Sequence, residues 1–487
     1  MPLGKLRMFS FLLNAKSSKP TEMSSKILLL SANRYQFPDP VFPIGLSCIN
    51  SALVKAGHRT LILDINLDSR EKINQAIDGF APDFIGISLR NIDDVLIRNK
   101  ETPFGDTILL CNQIRQKTRC PIVIGGAGYS IFPKQLLEMT KADYGICGEG
   151  EQSIVKLIQS LEEKQSPHSV PGLVFRQSEK IVMIPPQRQS AIPSEFLLQR
   201  PERLTSFYLG SGGMLNIQTQ RGCSLRCCFC TYPLIEGRMH RFRAPEDVAE
   251  EMATLQTMGA KYVFVVDSVF NSDEKHVTGI CEAIKRRGLN LPWGCFLRPA
   301  GLTPSLMKLM ADAGLKHVEF GSESFSNAVL KQYGKGLCFQ DIQRASELAH
   351  SENIDYCHFM ICGGPGETMD TLEESFENSL SLPNPVILGV VGMRIYPGTP
   401  LYTRSIAEGQ LSETEDLLAP HYYLAPGLTS ERVFEKLNSF VARSPSWLPG
   451  DMNPAYANLV SKLRKRGVMG PLWSYFAMMQ RVWPQTN

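Results

Sequence analysis

Short, continuous apolar runs recur along the first third of the chain, and a longer amphipathic stretch follows each of them. The runs read KILLLSAN, TLILDI, FIGISL, PIVIGG and YGICGEG, and they lie between Lys26 and Gly150. Runs of this length without polar alternation are typical of strands buried on both faces of a parallel sheet. The pattern therefore predicts an α/β domain over residues 26–160. Its doubly wound, Rossmann-like sheet would bind a ligand beyond the carboxyl ends of the strands, where the residues are small or polar.

A second series of the same kind follows. Its candidate strands, between Met214 and Tyr396, read MLNIQTQ, KYVFVVD, WGCFLR, HVEFGS, CHFMICGG and VVGMRIY. Six such strands, with helical stretches such as 245–258 and 304–313 between them, predict a partial (β/α)6 parallel barrel over residues 214–410. Residues 161–213, rich in Pro, Gln and Ser, are expected to form a linker with one hairpin. Residues 411–487 are expected to form a small, mostly helical extension.

The composition indicates which partners and which cellular compartment to expect. A net charge of +3 on 487 residues shows no general bias toward nucleic acid. Most of the 13 cysteines stand singly in apolar runs, which is typical of a reducing compartment and predicts a cytoplasmic location. Residues 1–25 are expected to be a leader without fixed structure, or a misassigned one with Met23 as the real start, because the apolar stretch Met8 to Leu13 is too short for a signal peptide and lacks a convincing cleavage site.

Four cysteines fall within eight residues in the segment RGCSLRCCFCTYP. Cys223, Cys227 and Cys230 have the spacing C-x3-C-x2-C directly after a predicted strand. Three thiolates on one loop can hold three irons of a 4Fe–4S cluster and leave the fourth iron open. A zinc site would need a fourth ligand, and Cys228 is a poor one because it neighbours Cys227 and would point away. We therefore expect a cluster rather than zinc or simple packing, with no role for Cys228.

This loop is similar to that of the radical S-adenosylmethionine (SAM) superfamily, in which an aromatic residue precedes the third cysteine. Further segments follow in the same order, VEFGSESFS and ICGGPGET. The resemblance implies that Glu323 meets the ribose or methionine part of SAM and that two glycines let the backbone approach its adenosine. The usual Gly-Gly-Glu of the second strand is missing, and VVDSVFN stands in its place. The residues expected at SAM are Phe229, Asp267, Ser268, Arg298, Glu323, Gly364 and Gly366.

The sixth-strand segment RIYPGTPLY resembles the signature of the subgroup that carries an N-terminal cobalamin-binding domain, and DPVFPIGLSCINSALVKAGHRTLILD resembles the start of such a domain. The resemblance implies that Ser88, Gly125 and Gly126 line the channel for the nucleotide tail. The loop that supplies a histidine to cobalt in the wider cobalamin family is absent. The only histidine of this domain, His58, precedes the second strand instead. We therefore expect no histidine of this domain on the cobalt.

Arg90 and Asn91, at the end of the third strand, are expected beneath the corrin. Alternatively, they cap the following helix and pair with Asp93 or Asp94. A flavin or a nucleotide is the alternative ligand for this domain, but GGAGYS is not a dinucleotide fingerprint. The segment EKHVTG, Glu274 to Gly279, imitates a histidine loop and is expected to form the solvated face of a helix.

The resemblance implies cleavage of SAM at the cluster to a 5′-deoxyadenosyl radical and methyl transfer from cobalamin to an unactivated carbon of a small-molecule or lipid substrate. Radical cyclisation or rearrangement without methyl transfer, and a non-catalytic cobalamin or redox sensor, are the alternatives. No acid/base pair stands out. Flavodoxin or ferredoxin would supply the electron, and the basic and aromatic tail, Lys462 to Trp483, either touches a membrane or packs on the barrel.

Overall fold

A computed structural model describes residues 24–35, 39–99, 102, 104–192, 200–449 and 455–475. The expected leader, residues 1–25, lies almost entirely outside this part. The first half contains seven strands: β1 (Lys26–Ser31), β2 (Arg59–Asp64), β3 (Phe84–Ser88), β4 (Ile122–Gly125), β5 (Tyr144–Ile146), β6 (Leu173–Gln177) and β7 (Lys180–Met183). Its helices are α1 (Ile44–Lys55), α2 (Arg70–Phe80), α3 (Phe104–Lys117), α4 (Ala127–Ile131), α5 (Pro133–Thr140) and α6 (Glu151–Glu162).

These strands form one sheet in the order β2-β1-β3-β4-β5-β6-β7. The first five are parallel, and β6 and β7 add an antiparallel hairpin at one edge. The parallel part matches the doubly wound sheet expected from the apolar runs, whose central residues are almost fully buried. The expected hairpin of residues 161–213 exists, and it belongs to this sheet.

Helix α7 (Glu202–Gly212) leads into the second half. The strands there are β8 (Met214–Ile217), β9 (Gln220–Arg221), β10 (Arg241–Phe242), β11 (Tyr262–Val265), β12 (Trp293–Leu297), β13 (Leu315–Glu323), β14 (Asp355–Cys362), β15 (Val386–Val391), β16 (Met393–Arg394), β17 (Tyr422–Tyr423) and β18 (Trp447–Pro449). The helices are α8 (Tyr232–Ile235), α9 (Pro245–Thr257), α10 (Glu274–Arg286), α11 (Pro304–Asp312), α12 (Asn327–Tyr333), α13 (Phe339–Ser351), α14 (Met369–Ser379), α15 (Pro400–Ala407), α16 (Ser430–Arg443) and α17 (Ala455–Lys465).

The second sheet runs β8-β11-β12-β13-β14-β15-β18, with all neighbours parallel. This is the partial barrel expected from six strands, and the tail adds β18 as a seventh. Three of its helices begin at a proline, which fits the first helical position because it lacks an N–H: α9, α11 and α15.

The two sheets share one hydrophobic core through α7. Phe42 packs edge-to-face on Tyr208, with ring centroids 5.6 Å apart, and the Tyr208 hydroxyl donates to the buried Asp64 carboxylate over 2.7 Å. Apolar residues of both halves join the same cluster. Helix α7 therefore belongs to the packing of both sheets rather than to a free linker. No helix in the described part of the chain is long and apolar enough to span a bilayer.

Candidate active site between the two domains

The cysteine loop follows β8 and β9 at the carboxyl end of the second sheet. The thiols of Cys223, Cys227 and Cys230 lie close enough to interact electrostatically. Burial, with a smaller contribution from the Cys227 and Cys223 thiols, raises the pKa of Cys230 to about 12. Within the described residues, no three Cys, His, Asp or Glu side chains converge as they would around a single metal ion. Because a 4Fe–4S cluster takes its thiolates on separate irons, this donor set fits a cluster.

Cys228 packs against the elements around the loop. Its sulfur lies 3.9 Å from the Met393 sulfur, its N–H donates to the Tyr333 carbonyl, and its carbonyl accepts from Leu401. The residue ties the loop to α12 and α15. Cys228 thus has a packing role that the sequence did not reveal, and the expectation that it is not a cluster ligand stays a prediction.

Several buried polar contacts hold the loop in place. The backbone N–H of Gly222 donates to Glu236 over 3.0 Å, and that of Cys223 donates to the Gly237 carbonyl over 2.9 Å. Gly222 has φ +90, and a Cβ there would lie 2.1 Å from the Met239 carbonyl oxygen. Only glycine fits this position.

Asp267 and Ser268, expected at SAM, are directed at the start of the same loop. The Asp267 carboxyl accepts from the N–H of Thr219 over 2.7 Å and from the N–H of Gln220 over 3.2 Å. Burial raises the pKa of Asp267 to about 7 despite these bonds. The Ser268 hydroxyl donates to the Gly222 carbonyl over 3.2 Å. Their polar atoms thus hold the turn that leads into the cysteines.

Glu323 ends β13 at the same edge of the barrel, with φ +66 and a register shift just before it. Non-glycine residues rarely adopt this backbone, and such positions cluster at functional sites. Its carboxylate lies 3.4 Å from the buried Lys335 ammonium. Burial alone would lower the pKa of Lys335, but Glu323 and the nearby Cys227 and Cys230 more than offset this and raise it.

Lys335 is the functional candidate that the sequence reasoning missed. It stands between Gly334 and Gly336, both with positive φ, and a Cβ on Gly334 would lie 2.6 Å from the Arg226 carbonyl oxygen of the cysteine loop. This tight approach brings the ammonium beside the thiols. A lysine flanked by two glycines in the segment YGKGL was the available signal.

Gly364 and Gly366 meet the protein itself on their Cβ side. A Cβ on Gly364 would lie 2.3 Å from the Tyr333 hydroxyl, and one on Gly366 would lie 2.7 Å from Gln332 Cγ. Both glycines therefore let the turn after β14 pack against α12. The expected approach of this backbone to adenosine stays a prediction.

Arg298 and Phe229, also expected at SAM, contact other parts of the protein. Arg298 donates from its backbone to Asn271, and its guanidinium donates to the Gly336 carbonyl, while its buried Nε has no partner in the described residues. Phe229 packs beside Cys228 on the cluster that contains Tyr333. Arg298 thus borders the Lys335 segment, and Phe229 anchors the loop.

The carboxyl ends of the first sheet face this loop. Arg90 follows β3, and its guanidinium lies close enough to Tyr232, two residues after Cys230, for an electrostatic interaction. Burial lowers the pKa of Arg90. Tyr232 is 41% exposed, and burial raises the pKa of its hydroxyl. Arg90 and Tyr232 thus bring the carboxyl end of the first sheet close to the cysteine loop of the second.

The alternative role for Arg90 and Asn91 is wrong. Arg90 donates to Asn91 over 2.7 Å, but no contact within the described residues joins either one to Asp93 or Asp94, and α3 begins at Phe104, too late to be capped by them. Asp93 instead receives the Arg394 guanidinium at 2.7 Å and the Tyr396 hydroxyl at 3.0 Å. The segment RIYPGTPLY therefore contacts the first domain directly.

A second set of ion pairs joins the domains where β5 ends. In the segment GEGE, Glu149 pairs with Arg241 at 2.6 Å and Glu151 pairs with Arg221 at 2.6 Å. The sequence suggested that this strand end faces a ligand. The structure corrects this, because both carboxylates are taken up by arginines of the barrel domain.

The remaining cobalamin candidates shape the ends of β3 and β4. Ser88 stands opposite Gly125 in register, and Gly126 has φ +108 with a Cβ position 2.4 Å from the Leu89 carbonyl oxygen. Gly126 is thus required for the turn into α4. His58 is buried near Glu162 at the amino end of β2, so the described part of this domain offers no histidine at the carboxyl ends of the strands.

The expected solvated face at Glu274 to Gly279 is wrong for its histidine. His276 is 7% exposed, its Nε2 lies 3.2 Å from the Thr219 hydroxyl, and its ring packs on Phe242. Burial lowers its pKa to about 4. His276 therefore supports the strand that leads to the cysteine loop.

Comparisons with known proteins agree with this arrangement. Residues 32–158 match the B12 binding domain model, and residues 217–378 match the radical SAM superfamily model. Tryptophan 2-C-methyltransferase of Streptomyces laurentii is 24% identical over 77% of this chain and 74% of its own length. Hopanoid C-3 methylase of Methylococcus capsulatus is 25% identical over 73% of this chain and 67% of its own length.

Among solved structures, the radical SAM methyltransferase TsrM from Kitasatospora setae, with cobalamin and a 4Fe–4S cluster bound, has a TM-score of 0.82 at 22% identity. The match covers 94% of this chain and 98% of that one. It shows that the two chains share their whole fold, including the order of the domains.

Proposed function

This chain is a cobalamin-dependent radical SAM methyltransferase-like protein, and from that premise we propose that it methylates an unactivated carbon of a small substrate held between its two domains. The observation that carries the proposal is the closeness of Arg90, at the end of β3, to Tyr232 beside the cysteine loop. This closeness supports a proposal in which both cofactors act on one substrate. When bound, the cluster with SAM supplies a 5′-deoxyadenosyl radical and cobalamin supplies a transferable methyl group.

The residues of the barrel bind and orient the cluster and SAM in this proposal. Cys223, Cys227 and Cys230 hold the cluster. Lys335 binds the carboxylate of SAM and Glu323 binds its ribose or amino group, because the two side chains carry opposite charges beside the thiols. Asp267 and Ser268 act through the loop they support.

The first domain contributes a surface for the corrin without a ligating histidine. Arg90 and Asn91 lie beneath the ring in this proposal, and Ser88, Gly125 and Gly126 line the path of the nucleotide tail. A guanidinium has no lone pair at ordinary pH, so Arg90 would hold the corrin as a hydrogen-bond donor.

An external one-electron donor of low potential, such as flavodoxin or ferredoxin, completes the proposal. In the described part of the tail, Trp473 is 6% exposed, and Arg464 is tied to Asp39 and to two carbonyls, so neither is available to a lipid surface. A peripheral membrane contact by the tail would instead use the exposed Lys462, Lys465 and Arg466.

The test is anaerobic reconstitution of the full chain with iron, sulfide and hydroxocobalamin, followed by a spectrum and a reductant-initiated assay with SAM and candidate substrates. Corrin bands together with 5′-deoxyadenosine and S-adenosylhomocysteine are the expected result. 5′-Deoxyadenosine without S-adenosylhomocysteine would favour cyclisation or rearrangement. A chain that keeps iron but no corrin would overturn the account of the first domain.

A further inference from the structure

One face of β13 lines the inside of the barrel. Along this strand, Val318, Phe320 and Ser322 are fully buried, whereas His317, Glu319, Gly321 and Glu323 are partly accessible. The buried face points at the outer helices, because Ser322 and Ser346 of α13 both contact the His358 ring. Successive side chains of a strand alternate between faces, so Glu319 points into the lumen.

Aromatic side chains form the walls around Glu319. Phe264 of β11, Phe296 of β12 and Phe359 of β14 are partly accessible although their strands lie inside the sheet. Phe296 and Cys357 stand beside Glu319 in register, and the Phe264 and Phe296 rings meet edge-to-face at 5.1 Å. Accessible surface on central strands marks a cavity, here with three phenyl rings and one carboxyl group.

The tail closes one end of this cavity. The Trp473 indole N–H donates to Glu319 Oε1 over 3.1 Å, and the indole packs edge-to-face on His317 at 5.6 Å. This is the one hydrogen bond of the Glu319 side chain within the described residues. Burial raises the pKa of Glu319 to about 7 and lowers that of His317 to about 4, so no imidazolium neutralises the carboxyl group.

The lumen adjoins the proposed SAM site. Between Glu319 and Glu323 the lumen-facing residue is Gly321, which is partly accessible, and a Cβ there would lie 3.3 Å from Glu323 Oε1 and 3.5 Å from Lys335 Nζ. Four residues of strand span about 13 Å, at roughly 3.3 Å per residue. A ligand reaching from Glu323 to Glu319 would therefore be elongated.

We propose that this lumen is the deep end of the substrate site and that Glu319 selects an elongated aromatic or alkyl amine, whose nitrogen it binds. This specificity rests on the proposed function. A desolvated carboxyl group with a single hydrogen-bond donor is unfavourable, and phenyl rings attract a cation, so both features of the cavity favour an ammonium group. A carboxylate at the same place would be repelled.

The test uses 4-phenylbutylamine, 4-phenylbutanol and 4-phenylbutanoate as probes of the anaerobically reconstituted full chain, with binding measured by calorimetry. We expect the amine to bind about tenfold more tightly than the alcohol, and the acid least. Glu319→Gln should weaken amine binding roughly tenfold and leave alcohol binding within about twofold. Glu347→Gln, on the exposed surface of α13, is the matched control.

A second variant guards against misfolding. Phe296→Trp fills the lumen and should reduce binding of all three probes, while iron content and melting temperature report folding. Equal affinity for amine and acid, or unchanged amine binding by Glu319→Gln, would overturn the proposal and leave a lumen that only packs the tail. Loss of corrin binding would instead refute the proposed function, so the two failures are distinguishable.

Discussion

Replacing Arg221 by methionine should destabilise the whole protein, because Arg221 holds two carboxylates of the first domain. Its guanidinium lies 2.6 Å from Glu151 and 3.5 Å from Glu149, and the side chains of Arg221 and Glu151 are 11% and 7% exposed. Glu149 would keep Arg241 as a partner. Glu151 would be left buried without a guanidinium among the described contacts.

The expected loss of unfolding free energy depends on whether one partner or both partners of the buried ion pair are removed. Removing one partner of such a pair lowers the free energy of unfolding by about 3–5 kcal/mol, because a charge is left buried and unpaired. Replacing both partners by apolar groups is close to neutral. We therefore expect Arg221→Met to lose about 3–5 kcal/mol and the double variant Arg221→Met/Glu151→Leu to recover most of it.

The assay is urea unfolding monitored by tryptophan fluorescence at pH 7 and pH 4. Burial would raise the pKa of Glu151, but Arg221 more than offsets this and holds it below the usual range. The pair thus stabilises the protein above the unfolded pKa of about 4.3, and this contribution is lost as the pH falls through the folded pKa. The difference between wild type and Arg221→Met should therefore shrink at pH 4.

Two results would refute the reasoning. A loss below about 1 kcal/mol in the single variant would show that the pair is not buried as described. A double variant as unstable as the sum of the single ones would show that the two residues do not interact.

Four further predictions follow from single contacts. Asp267→Ala should lower iron content after reconstitution and destabilise the chain by roughly 2–4 kcal/mol, whereas Asp267→Asn keeps an acceptor and should lose less. Cys228→Ser should keep its iron while Cys227→Ser loses it, and iron loss from Cys228→Ser alone would contradict the ligand assignment. Gly364→Ala should lose about 1–3 kcal/mol in urea unfolding because its Cβ meets Tyr333, whereas Gly210→Ala, with open space around it, should not be destabilised. Burial raises the pKa of Glu367 to about 7, so its carboxyl group favours folding most below pH 4, and this contribution is lost as the pH rises to 7. The melting temperature of Glu367→Gln should therefore fall less between pH 4 and pH 7 than that of the wild type. An equal fall in both proteins would refute the assignment.

The local sequence pattern was sufficient to predict the parallel strands and the cysteine loop. The apolar runs that became β1, β3 and β4 are short, rich in β-branched residues and bounded by turns, so their burial could be predicted. The spacing of Cys223, Cys227 and Cys230 depends only on one loop. Both features are encoded within a few consecutive residues.

The partners of charged side chains could not be predicted in this way. Lys335 reaches the thiols through the packing of α12 on a loop about 100 residues earlier in the chain, and Arg394 meets Asp93 across 301 residues. His276 was misplaced for the same reason, because its burial depends on Thr219. Such pairs depend on tertiary packing, on which local periodicity carries no information.

The shared core through α7 determines how this protein can be recombined with its relatives. A crossover between residues 161 and 213 would exchange β6, β7 or α7 without the residues they pack on, among them Asp64 and Phe42. A chimera made there would carry a mismatched interface at its centre. An exchange of the first domain should instead move residues 26–212 as one block, together with the arginines that meet Glu149 and Glu151. The grafted unit for transferring cobalamin recognition is therefore larger than the matched B12 binding domain.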